Sequence, residues 1–308
     1  MKIMLTGAAG FIGSSIADEY IIKNHDVVIL DDLSSGKKEY INPKAKFYQV
    51  DIRNTEEIKT IFTKEKPDIL NHHAAQMNIR KSVDNPQFDA RINILGLLNL
   101  LESGVKNGLK KVIFASSGGA VYGDAKIIPT PEDYEPKTPL SPYGVTKYAS
   151  ELYLYFYFKS YDIPYIALRY SNVYGPRQNP HGEAGVVAIF SKSLVKNTPP
   201  VINGDGLQTR DYIFIKDVVE ANIKALSSKF IGSLNIATSG QTDVLTIFQK
   251  LKSISGKNLN PKFGPPKKGE QRKSSLDITR AKEILNWSPQ ITLDQGLQNT
   301  LRYFSHNL

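Results

Sequence analysis

Tyr143 and Lys147 are the residues in this sequence best suited to proton-transfer chemistry. Ser141 and Pro142 predict a helix start just before them, and residues four apart on a helix lie on the same face. A tyrosine acting as a base near pH 7 must ionise about three units below its reference pKa, which costs about 4 kcal/mol. A lysine ammonium and an oxidised nicotinamide ring both lower that cost. The alternative is an ordinary tyrosine and lysine on an exposed helical face.

Three glycines, Gly7, Gly10 and Gly13, form a second chemical feature. An apolar strand, Lys2–Thr6, precedes them and a helical pattern follows, so they occupy a strand-to-helix turn that can hold a pyrophosphate. Gly7 permits the tight turn, Gly10 lets the backbone approach the phosphates, and Gly13 lets the helix pack on the strand. Because the spacing is GxxGxxG rather than GxGxxG, an ordinary glycine-rich loop is the alternative.

Asp31 supports the dinucleotide interpretation. It ends a second apolar strand, predicted at 27–30, and follows Gly13 by 18 residues. A carboxylate at that position can accept hydrogen bonds from the adenosine ribose hydroxyls and repels a 2′-phosphate. The sequence therefore predicts NAD rather than NADP as cofactor.

Strands alternate with helices through the first 170 residues, which predicts an α/β fold with a Rossmann-type doubly wound parallel sheet. The strands are predicted at 2–6, 27–30, 46–50, 67–71, 112–115 and 163–170. Long helices are predicted at 83–107, with Pro86 near the start, and from Pro142 to about 160. After residue 172 the pattern is mixed, with helices near 183–196, 216–227, 244–255, 280–285 and 294–304 and strands near 201, 212, 234 and 263.

The composition excludes several functional classes. The 308-residue chain has no cysteine, so disulfides and thiolate chemistry are unavailable, and His72 and His73 lack partners at metal spacing. The net charge of +9 comes from scattered lysine pairs, so we expect no nucleic-acid partner. The longest apolar stretch, 94–101, is too short to span a membrane, and Met1 leads directly into the first strand. We expect a soluble cytoplasmic protein.

Together these segments resemble the extended short-chain dehydrogenase/reductase family, and within it the nucleotide-sugar epimerases and dehydratases. The matching blocks are TGAAGFIGS, Asp31, Asp51-Ile52, HHAAQ, SSGGAVYG, SPYGVTK, RYSNVYGPRQ, GDGLQTRDYIFIKDV and SLDITRAKEILNWSP. The resemblance implies a Rossmann-type NAD-binding domain at 1–171 plus 208–237. A smaller mixed α/β nucleotide-sugar-binding domain is implied at 172–207 plus 238–308.

The resemblance also assigns site residues. Tyr143 is implied as the catalytic base, Lys147 as the ligand of the nicotinamide ribose, and Ser117 as a further catalytic contact. The implied cofactor contacts are Gly7, Gly10, Phe11, Ile12, Gly13, Asp31, Asp32, Ser34, Ser35, Gly36, Asp51, Ile52, Ala74, Ala75, Gln76, Asn93, Ser116, Tyr143, Lys147, Tyr170 and Val173. The implied substrate contacts are Asn172, Val187, Val201, Asn203, Arg210, Tyr212, Lys267, Glu270, Arg272 and Ser274.

One position departs from the family pattern. Gly118 stands where UDP-galactose 4-epimerases usually have the hydroxyl residue that bonds the sugar 4-OH. Ser117 or a water takes that role, or Tyr143 works alone. Gly118 and Gly119 also lack the acid pair that dehydratases carry here, and the glutamate typical of decarboxylases is absent.

These motifs lead us to expect an NAD-dependent UDP-sugar 4-epimerase that oxidises C4 transiently. The alternatives are another nucleotide-sugar epimerase, a 4-keto nucleotide-sugar reductase and, from a different class, a non-catalytic NAD-binding sensor. Ser274 lies where a tyrosine narrows the pocket of enzymes restricted to glucose and galactose, so we expect N-acetylated UDP-sugars to fit as well. The aromatic surface of the helix after Pro142 and the helix at 83–107 predict a homodimer.

Overall fold

The computed structural model describes residues 1–181, 185–266 and 271–307. Its strands are β1 (Lys2–Thr6), β2 (Asp26–Asp31), β3 (Lys46–Gln49), β4 (Ile69–His72), β5 (Lys111–Ser117), β6 (Tyr165–Tyr170), β7 (Asn172–Tyr174), β8 (Val201–Asn203), β9 (Thr209–Arg210), β10 (Tyr212–Phe214), β11 (Gly232–Ile236), β12 (Thr242–Asp243) and β13 (Lys262–Gly264).

Helices flank these strands along most of the chain. They are α1 (Phe11–Ile22), α2 (Thr55–Glu65), α3 (Ile79–Asp84), α4 (Pro86–Ala90), α5 (Gly96–Lys106), α6 (Gly118–Val121), α7 (Pro142–Tyr161), α8 (Val186–Val195), α9 (Ile215–Ser227), α10 (Val244–Ser255), α11 (Thr279–Leu285) and α12 (Leu293–Asn307). A 3₁₀ turn lies at Lys38–Tyr40 and a π-helical turn at Arg91–Leu95.

Seven strands form one parallel sheet in the order β3-β2-β1-β4-β5-β6-β11. Helices cover both faces, which is why the strands are almost continuously apolar and buried. The strand order reverses between β1 and β4, and in such sheets the ligand crevice opens there, at the carboxyl ends. The predicted doubly wound α/β fold is therefore confirmed.

Two buried apolar clusters hold the sheet. One lies beneath α2, α5 and α7 and includes Phe62, Leu100 and Leu154. The other lies beneath α1 and α9 and continues through α8, α10 and α12 as far as Leu297. The division into two domains stays a prediction, but this second cluster contains residues from both of the predicted domains.

The long helix predicted at 83–107 is present from Pro86 to Lys106, as α4, the π-helical turn and α5 in direct succession, and it begins later than predicted. Asn85 separates α3 from α4 because a residue before proline disfavours the helical conformation. The Asn85 side chain accepts a hydrogen bond from the main-chain nitrogen of Phe88 at 2.9 Å and caps α4, with Pro86 in the first turn. The π-helical turn then connects α4 to α5.

The remaining strands pair in twos outside the central sheet. β7 pairs with β10, β8 with β13, and β9 with β12, and each ladder has only two or three residues per strand. Of these strands, β7 directly follows β6, and the ladders carry half of the predicted substrate contacts, namely Asn172, Val201, Asn203, Arg210 and Tyr212. Across 1–181, 185–266 and 271–307, we find no helix with the length and apolar character of a membrane span.

Candidate active site

The glycine turn connects β1 to α1 and is tightly packed. Gly7 has a positive φ of 70°, and a Cβ there would lie 2.6 Å from the main-chain nitrogen of Ala74. A Cβ on Gly13 would lie 2.5 Å from the carbonyl oxygen of Gly7, so only glycine allows α1 to approach the turn. At Gly10 the corresponding contact, also with the Gly7 oxygen, is a longer 3.2 Å.

The start of α1 suits an anion. The first hydrogen bond within the helix runs from the nitrogen of Ser14 to the oxygen of Gly10, at 3.0 Å. The N–H groups of Phe11, Ile12 and Gly13 lie ahead of it, and the first turn contains no acidic residue. These residues therefore fit a dinucleotide pyrophosphate, which helix N-termini bind through such groups.

Asp31 is buried at the end of β2 and faces the glycine turn. Its carboxylate accepts hydrogen bonds from the nitrogens of Ala9 and Leu33, both at 2.9 Å. Burial raises its pKa, and these hydrogen bonds oppose that shift. Asp31 thus stabilises the turn and retains acceptor capacity for a ribose hydroxyl, since an ionised carboxylate has about four lone-pair sites.

The loop after Asp31 is mostly exposed. Asp32 accepts hydrogen bonds from the nitrogen and hydroxyl of Ser34, at 2.9 and 2.6 Å, and Ser35 is exposed beside it. Gly36 packs on the glycine turn, where a Cβ would lie 2.7 Å from the Ala9 Cβ. The loop is therefore anchored against the predicted cofactor site at Gly36.

Asp51 and Ile52, predicted as cofactor contacts, follow β3. The Asp51 carboxylate pairs with the Arg53 guanidinium at 2.5 Å, which lowers the pKa of Asp51. Ile52 is buried, and a Cβ on Gly96 would lie 2.5 Å from its Cδ1 atom. Both residues lie on the β2–β3 side of the crevice.

Ala74 and Ala75, both half-buried, follow β4, and Gln76 is buried in a polar network. The Gln76 main chain exchanges two hydrogen bonds with the Asn93 side chain, at 2.9 and 3.0 Å. The buried Asn93 amide thus holds the segment after β4 in position. Both of these side chains, implied by the family resemblance to contact the cofactor, bond to other parts of the protein.

Tyr143 and Lys147 lie in the first turns of α7, as predicted. Ser141 caps the helix by accepting a hydrogen bond from the nitrogen of Gly144 at 3.2 Å. The Lys147 ammonium lies 5.8 Å from the centre of the Tyr143 ring and donates a hydrogen bond to the oxygen of Ala115 at 2.8 Å. This bond ties α7 to β5, so the pair lies at the carboxyl end of the sheet.

Burial affects the two groups in opposite directions. Desolvation raises the pKa of Tyr143 to about 12, although a hydrogen bond with Ser117 opposes the shift. Desolvation lowers the pKa of Lys147 to about 8, opposed by the negative charges of Asp89 and Glu151. Lys147 is therefore largely protonated near pH 7. The phenol keeps its proton unless further positive charge enters the site.

Ser117 ends β5 next to the Tyr143 phenol, and Gly118 follows it as the first residue of α6. A Cβ on Gly118 would overlap the Cδ1 atom of Leu276 and lie 2.9 Å from its Cδ2 atom. Leu276 is buried, so its side chain fills the space that a larger residue at position 118 would need. Ser117, which hydrogen-bonds Tyr143, is then the hydroxyl residue of this segment that reaches the phenol.

Ser116 points into a different environment. Its hydroxyl donates to Glu151 at 2.5 Å, and Glu151 forms a buried bidentate ion pair with Arg169 at 2.6 and 3.0 Å. Arg169 also donates to the Tyr122 hydroxyl at 2.7 Å. The Ser116 side chain, predicted as a cofactor contact, thus belongs to a polar network between α7 and β6.

Tyr170 ends β6 and contacts the segment after β4. Its hydroxyl lies 3.1 Å from Nε2 of His73 and accepts a hydrogen bond from the Asn222 amide at 2.9 Å. The rings of His73 and Tyr170 stack with centres 6.0 Å apart. Desolvation and the Lys147 charge lower the pKa of His73 to about 3, so its imidazole is neutral near pH 7.

Four of the predicted substrate contacts, Asn172, Arg210, Tyr212 and Ser274, lie on or beside the β7–β10 and β9–β12 ladders. Asn172 in β7 pairs with Tyr212 in β10, directly after β6. The nitrogen of Ser274 donates to the oxygen of Thr209 at 3.2 Å, which brings half-buried Ser274 beside Arg210. Ser274 is two residues from Leu276, so this group continues to Gly118 and the Tyr143 site.

Other predicted substrate residues have different surroundings. Arg272 forms an exposed bidentate ion pair with Asp205 at 2.7 and 2.8 Å, and Val187 is buried in the core. Val201 is exposed and Asn203 half-buried, both in β8. Val173, predicted as a cofactor contact, is half-buried, and its main-chain oxygen accepts a hydrogen bond from the Gln178 amide at 2.8 Å. Lys267 and Glu270 lie outside the described residues. Within the part of the chain that the structure describes, no group of three His, Asp or Glu side chains could hold a metal ion.

Residues 3–237 match the model of the NAD dependent epimerase/dehydratase family. The chain belongs to this family. A UDP-glucose 4-epimerase of Mycolicibacterium smegmatis is 42% identical over 310 residues, covering 99% of this chain and 98% of that protein. The family resemblance predicted from the motifs is therefore confirmed, as is NAD as the cofactor of the group.

Solved structures of epimerases share the whole fold. The UDP-glucose 4-epimerase of Thermotoga maritima, solved with UDP-glucose, superposes with a TM-score of 0.98 at 46% identity, covering 100% of this chain and 99% of that one. The Thermus thermophilus UDP-glucose 4-epimerase, in complex with NAD, gives a TM-score of 0.94 at 37% identity, with 99% of both chains covered.

Some residues at the site were not predicted from the sequence. Leu276 was missed because no sequence pattern links an isolated leucine to a glycine more than 150 positions earlier. Asp89 in α4 accepts hydrogen bonds from the side chains of Gln76 and Asn93, and Thr146 in α7 accepts one from Asn93. The spacing of Asp89 and Asn93, four apart on a predicted helix, was the available signal.

Proposed function

We propose that this protein is an NAD-dependent UDP-sugar 4-epimerase that interconverts UDP-glucose and UDP-galactose. The grouping of Tyr143, Lys147 and Ser117 beside a glycine turn suited to a dinucleotide carries this proposal. The full-length similarity to UDP-glucose 4-epimerases supports the choice of sugar nucleotide. The reaction is an isomerisation, and it leaves the oxidation state of substrate and cofactor unchanged.

In this proposal Tyr143 accepts the proton of the sugar 4-hydroxyl and later returns it. The glycine turn and Asp31 would hold NAD, which would supply the hydride acceptor and donor at C4, with the hydride returning to the opposite face of the 4-keto sugar. Ser117 hydrogen-bonds the phenol and is the hydroxyl that we propose for orienting the sugar, since Leu276 fills the space at Gly118.

Lys147 has an electrostatic task. Desolvation is the main cause that raises the Tyr143 pKa to about 12, so the phenolate requires positive charge nearby. The Lys147 ammonium, 5.8 Å from the ring centre, supplies part of that charge. Its hydrogen bond to Ala115 fixes the ammonium on the cofactor side of α7.

The test is incubation of the purified protein with a panel of UDP-sugars and separation of the products by chromatography. An epimerase forms the C4 epimer in either direction with no net change in NADH absorbance. A 4-keto sugar reductase would consume NAD(P)H in proportion to product, and a non-catalytic NAD sensor would return every sugar unchanged. Either of the last two results would overturn the proposal.

We also propose that N-acetylated UDP-sugars are accepted. Ser274 is half-buried beside Arg210 and two residues from the leucine that contacts Gly118, a location that suits the sugar pocket. A serine there leaves room for an acetamido group that a tyrosine would exclude. The same UDP-sugar panel, extended to UDP-N-acetylglucosamine, tests this.

A homodimer is the assembly we propose, built from α7 and the segment from α3 to α5. These elements pack against each other and expose apolar side chains, namely Val83, Leu95, Val145, Leu152, Tyr155 and Phe156. Burying such a patch against a second copy removes apolar surface from water. Light scattering at micromolar concentration should give twice the monomer mass, and Leu152→Glu should shift it towards the monomer.

A further inference from the structure

Asp89 is a fully buried carboxylate that the mechanism above does not use. It lies in α4, directly before the π-helical turn, and three side chains hydrogen-bond to it. Oδ1 accepts from the amides of Gln76 and Asn93 at 2.9 and 3.1 Å, and Oδ2 accepts from the Thr146 hydroxyl at 2.8 Å. An ionised carboxylate is an acceptor only, so three donors suit the charged form.

These three partners come from different elements around the predicted cofactor and catalytic sites. Gln76 follows β4, Asn93 is in the π-helical turn, and Thr146 is in α7 between Tyr143 and Lys147. The Thr146 hydroxyl also lies 3.0 Å from the main-chain carbonyl oxygen of Tyr143, so Asp89 is linked to the first turn of α7. Through these contacts, Asp89 connects the segment after β4 to the helix that carries Tyr143 and Lys147.

Two carboxylates face Lys147, and they differ in their own hydrogen-bond partners. Glu151 also faces Lys147, but it is ion-paired with Arg169 and accepts hydrogen bonds from Ser116 and Ser233. From β4, His72 and His73 contribute no charge near pH 7, because burial lowers the pKa of both. The hydrogen-bond partners of Asp89, by contrast, are all neutral.

We propose that Asp89 is a positioning residue whose buried negative charge keeps Lys147 protonated and whose hydrogen bonds hold the first turn of α7. This inference rests on the proposed catalytic roles of Tyr143 and Lys147. The carboxylate stabilises the Lys147 ammonium against desolvation, and it also opposes ionisation of the Tyr143 phenol. Loss of the charge therefore lowers the pKa of both groups.

The first experiment titrates Lys147 directly by NMR in full-length protein carrying ¹³C-labelled lysine, without substrate. Lys147→Met assigns the signal, which is necessary because burial also lowers the Lys111 pKa to about 8. Asp89→Asn keeps the shape of the side chain and should lower the Lys147 pKa by about one unit from about 8. Asp26→Asn, an exposed carboxylate at the start of β2, should leave that pKa unchanged.

The second experiment measures kcat/KM against pH with UDP-glucose. Because Tyr143 must ionise and Lys147 must stay protonated, Asp89→Asn should move the whole profile to lower pH by about one unit. Thr146→Val keeps the charge and removes the link to α7, so it should lower the rate without moving the profile. A purely structural Asp89 would also lower the rate without a displacement.

An unchanged Lys147 pKa in folded Asp89→Asn protein would overturn the inference. If that variant does not fold, Asp89→Ser removes the same charge, leaves room for a water and is judged by the same titration. The titration needs no turnover, so it is independent of the proposed function. Failure of the unmodified protein to epimerise any UDP-sugar would instead contradict the proposed function.

Discussion

The two sides of the predicted cleft are constructed differently. On the cofactor side, main-chain atoms of the central sheet and the glycine turn fit together so closely that a Cβ at Gly7 or Gly13 would collide with backbone. On the substrate side, half of the predicted contacts are side chains on ladders of two or three residues per strand. Among the described contacts, Arg272 and Val201 are exposed.

Because of this difference, the two sides of the cleft should differ in how well they tolerate amino-acid substitutions. A Cβ added at Gly7 or Gly13 would lie less than 3.0 Å from main-chain atoms, so no other residue fits there unless the backbone moves. The cofactor side therefore tolerates few substitutions. An exposed side chain such as Val201 can be exchanged at little cost in stability. We therefore expect cofactor choice to be fixed and sugar choice to be adjustable.

The largest effect is expected where the two sides meet, at Tyr143. Tyr143→Phe keeps the ring but removes the acid-base group, so turnover should fall by a factor of about 10² to 10⁴ while NAD still binds. Ser117→Ala should have a smaller effect, because it removes only a hydrogen bond to the phenol. Epimerisation rates and NAD binding by calorimetry provide the measurements.

Tyr148→Phe is the matched control, since Tyr148 is on the same helix and outside the site. Its turnover should be close to that of the unmodified protein. Near-normal turnover of Tyr143→Phe would reject Tyr143 as the base.

The next largest effect tests the cofactor side. Asp31→Ala removes a carboxylate that holds the glycine turn and suits the ribose hydroxyls, so NAD affinity should fall by about 10- to 100-fold. NADP affinity should change less, which narrows the gap between the two cofactors. Calorimetry on cofactor-free protein measures both.

Asp26→Ala, at the other end of β2, should leave both affinities unchanged. Equal affinity of the unmodified protein for NAD and NADP would show that Asp31 does not select the cofactor.

A third change tests the packing between the two sides. Gly118→Ser should destabilise the protein by about 1–3 kcal/mol, because the new side chain overlaps Leu276. Gly119→Ser is the control, since no atom lies within 4 Å of a Cβ at that position. Urea unfolding measures both.

Adding Leu276→Ala to Gly118→Ser should cost less than the sum of the two single changes, because the shortened side chain leaves room for the serine. Additive costs would show that the two residues do not compete for the same space.

The smallest effect should be a change of sugar preference on the substrate side. Ser274→Tyr should reduce activity on UDP-N-acetylglucosamine by about tenfold while activity on UDP-glucose changes little, because a phenol ring would occupy the acetamido space. Ser274→Ala, which adds no bulk, is the control and should keep both activities. Equal loss or equal retention of both in Ser274→Tyr would show that position 274 does not limit the sugar.

The sequence predicts the elements that depend on local patterns. The strand–turn–helix at Gly7 to Gly13 and the capped helix with Tyr143 and Lys147 depend on residues close in sequence, so both could be predicted. The start of the long helix was placed too early, at 83 instead of Pro86, because the helical apolar pattern continues across Asn85.

Contacts between distant segments could not be predicted from such patterns. Leu276 meets Gly118, and Asp89 meets Thr146, only after the sheet has brought their segments together. The family resemblance implied roles for Ser116, Gln76 and Asn93, but resemblance carries no information on side-chain partners. The structure shows that those side chains bond within the protein.

The apolar cluster that continues from β1 to α12 has a thermodynamic consequence. It joins Leu5 in the central sheet to Phe190, Ile247 and Leu297 around the short ladders, with no polar layer dividing these described residues into two cores. Units that share a core unfold together, so heating should give a single cooperative transition. A destabilising substitution on the sugar side therefore lowers the free energy of unfolding of the whole protein, including its cofactor side. This shared stability limits how many substitutions towards a new sugar the chain can accumulate.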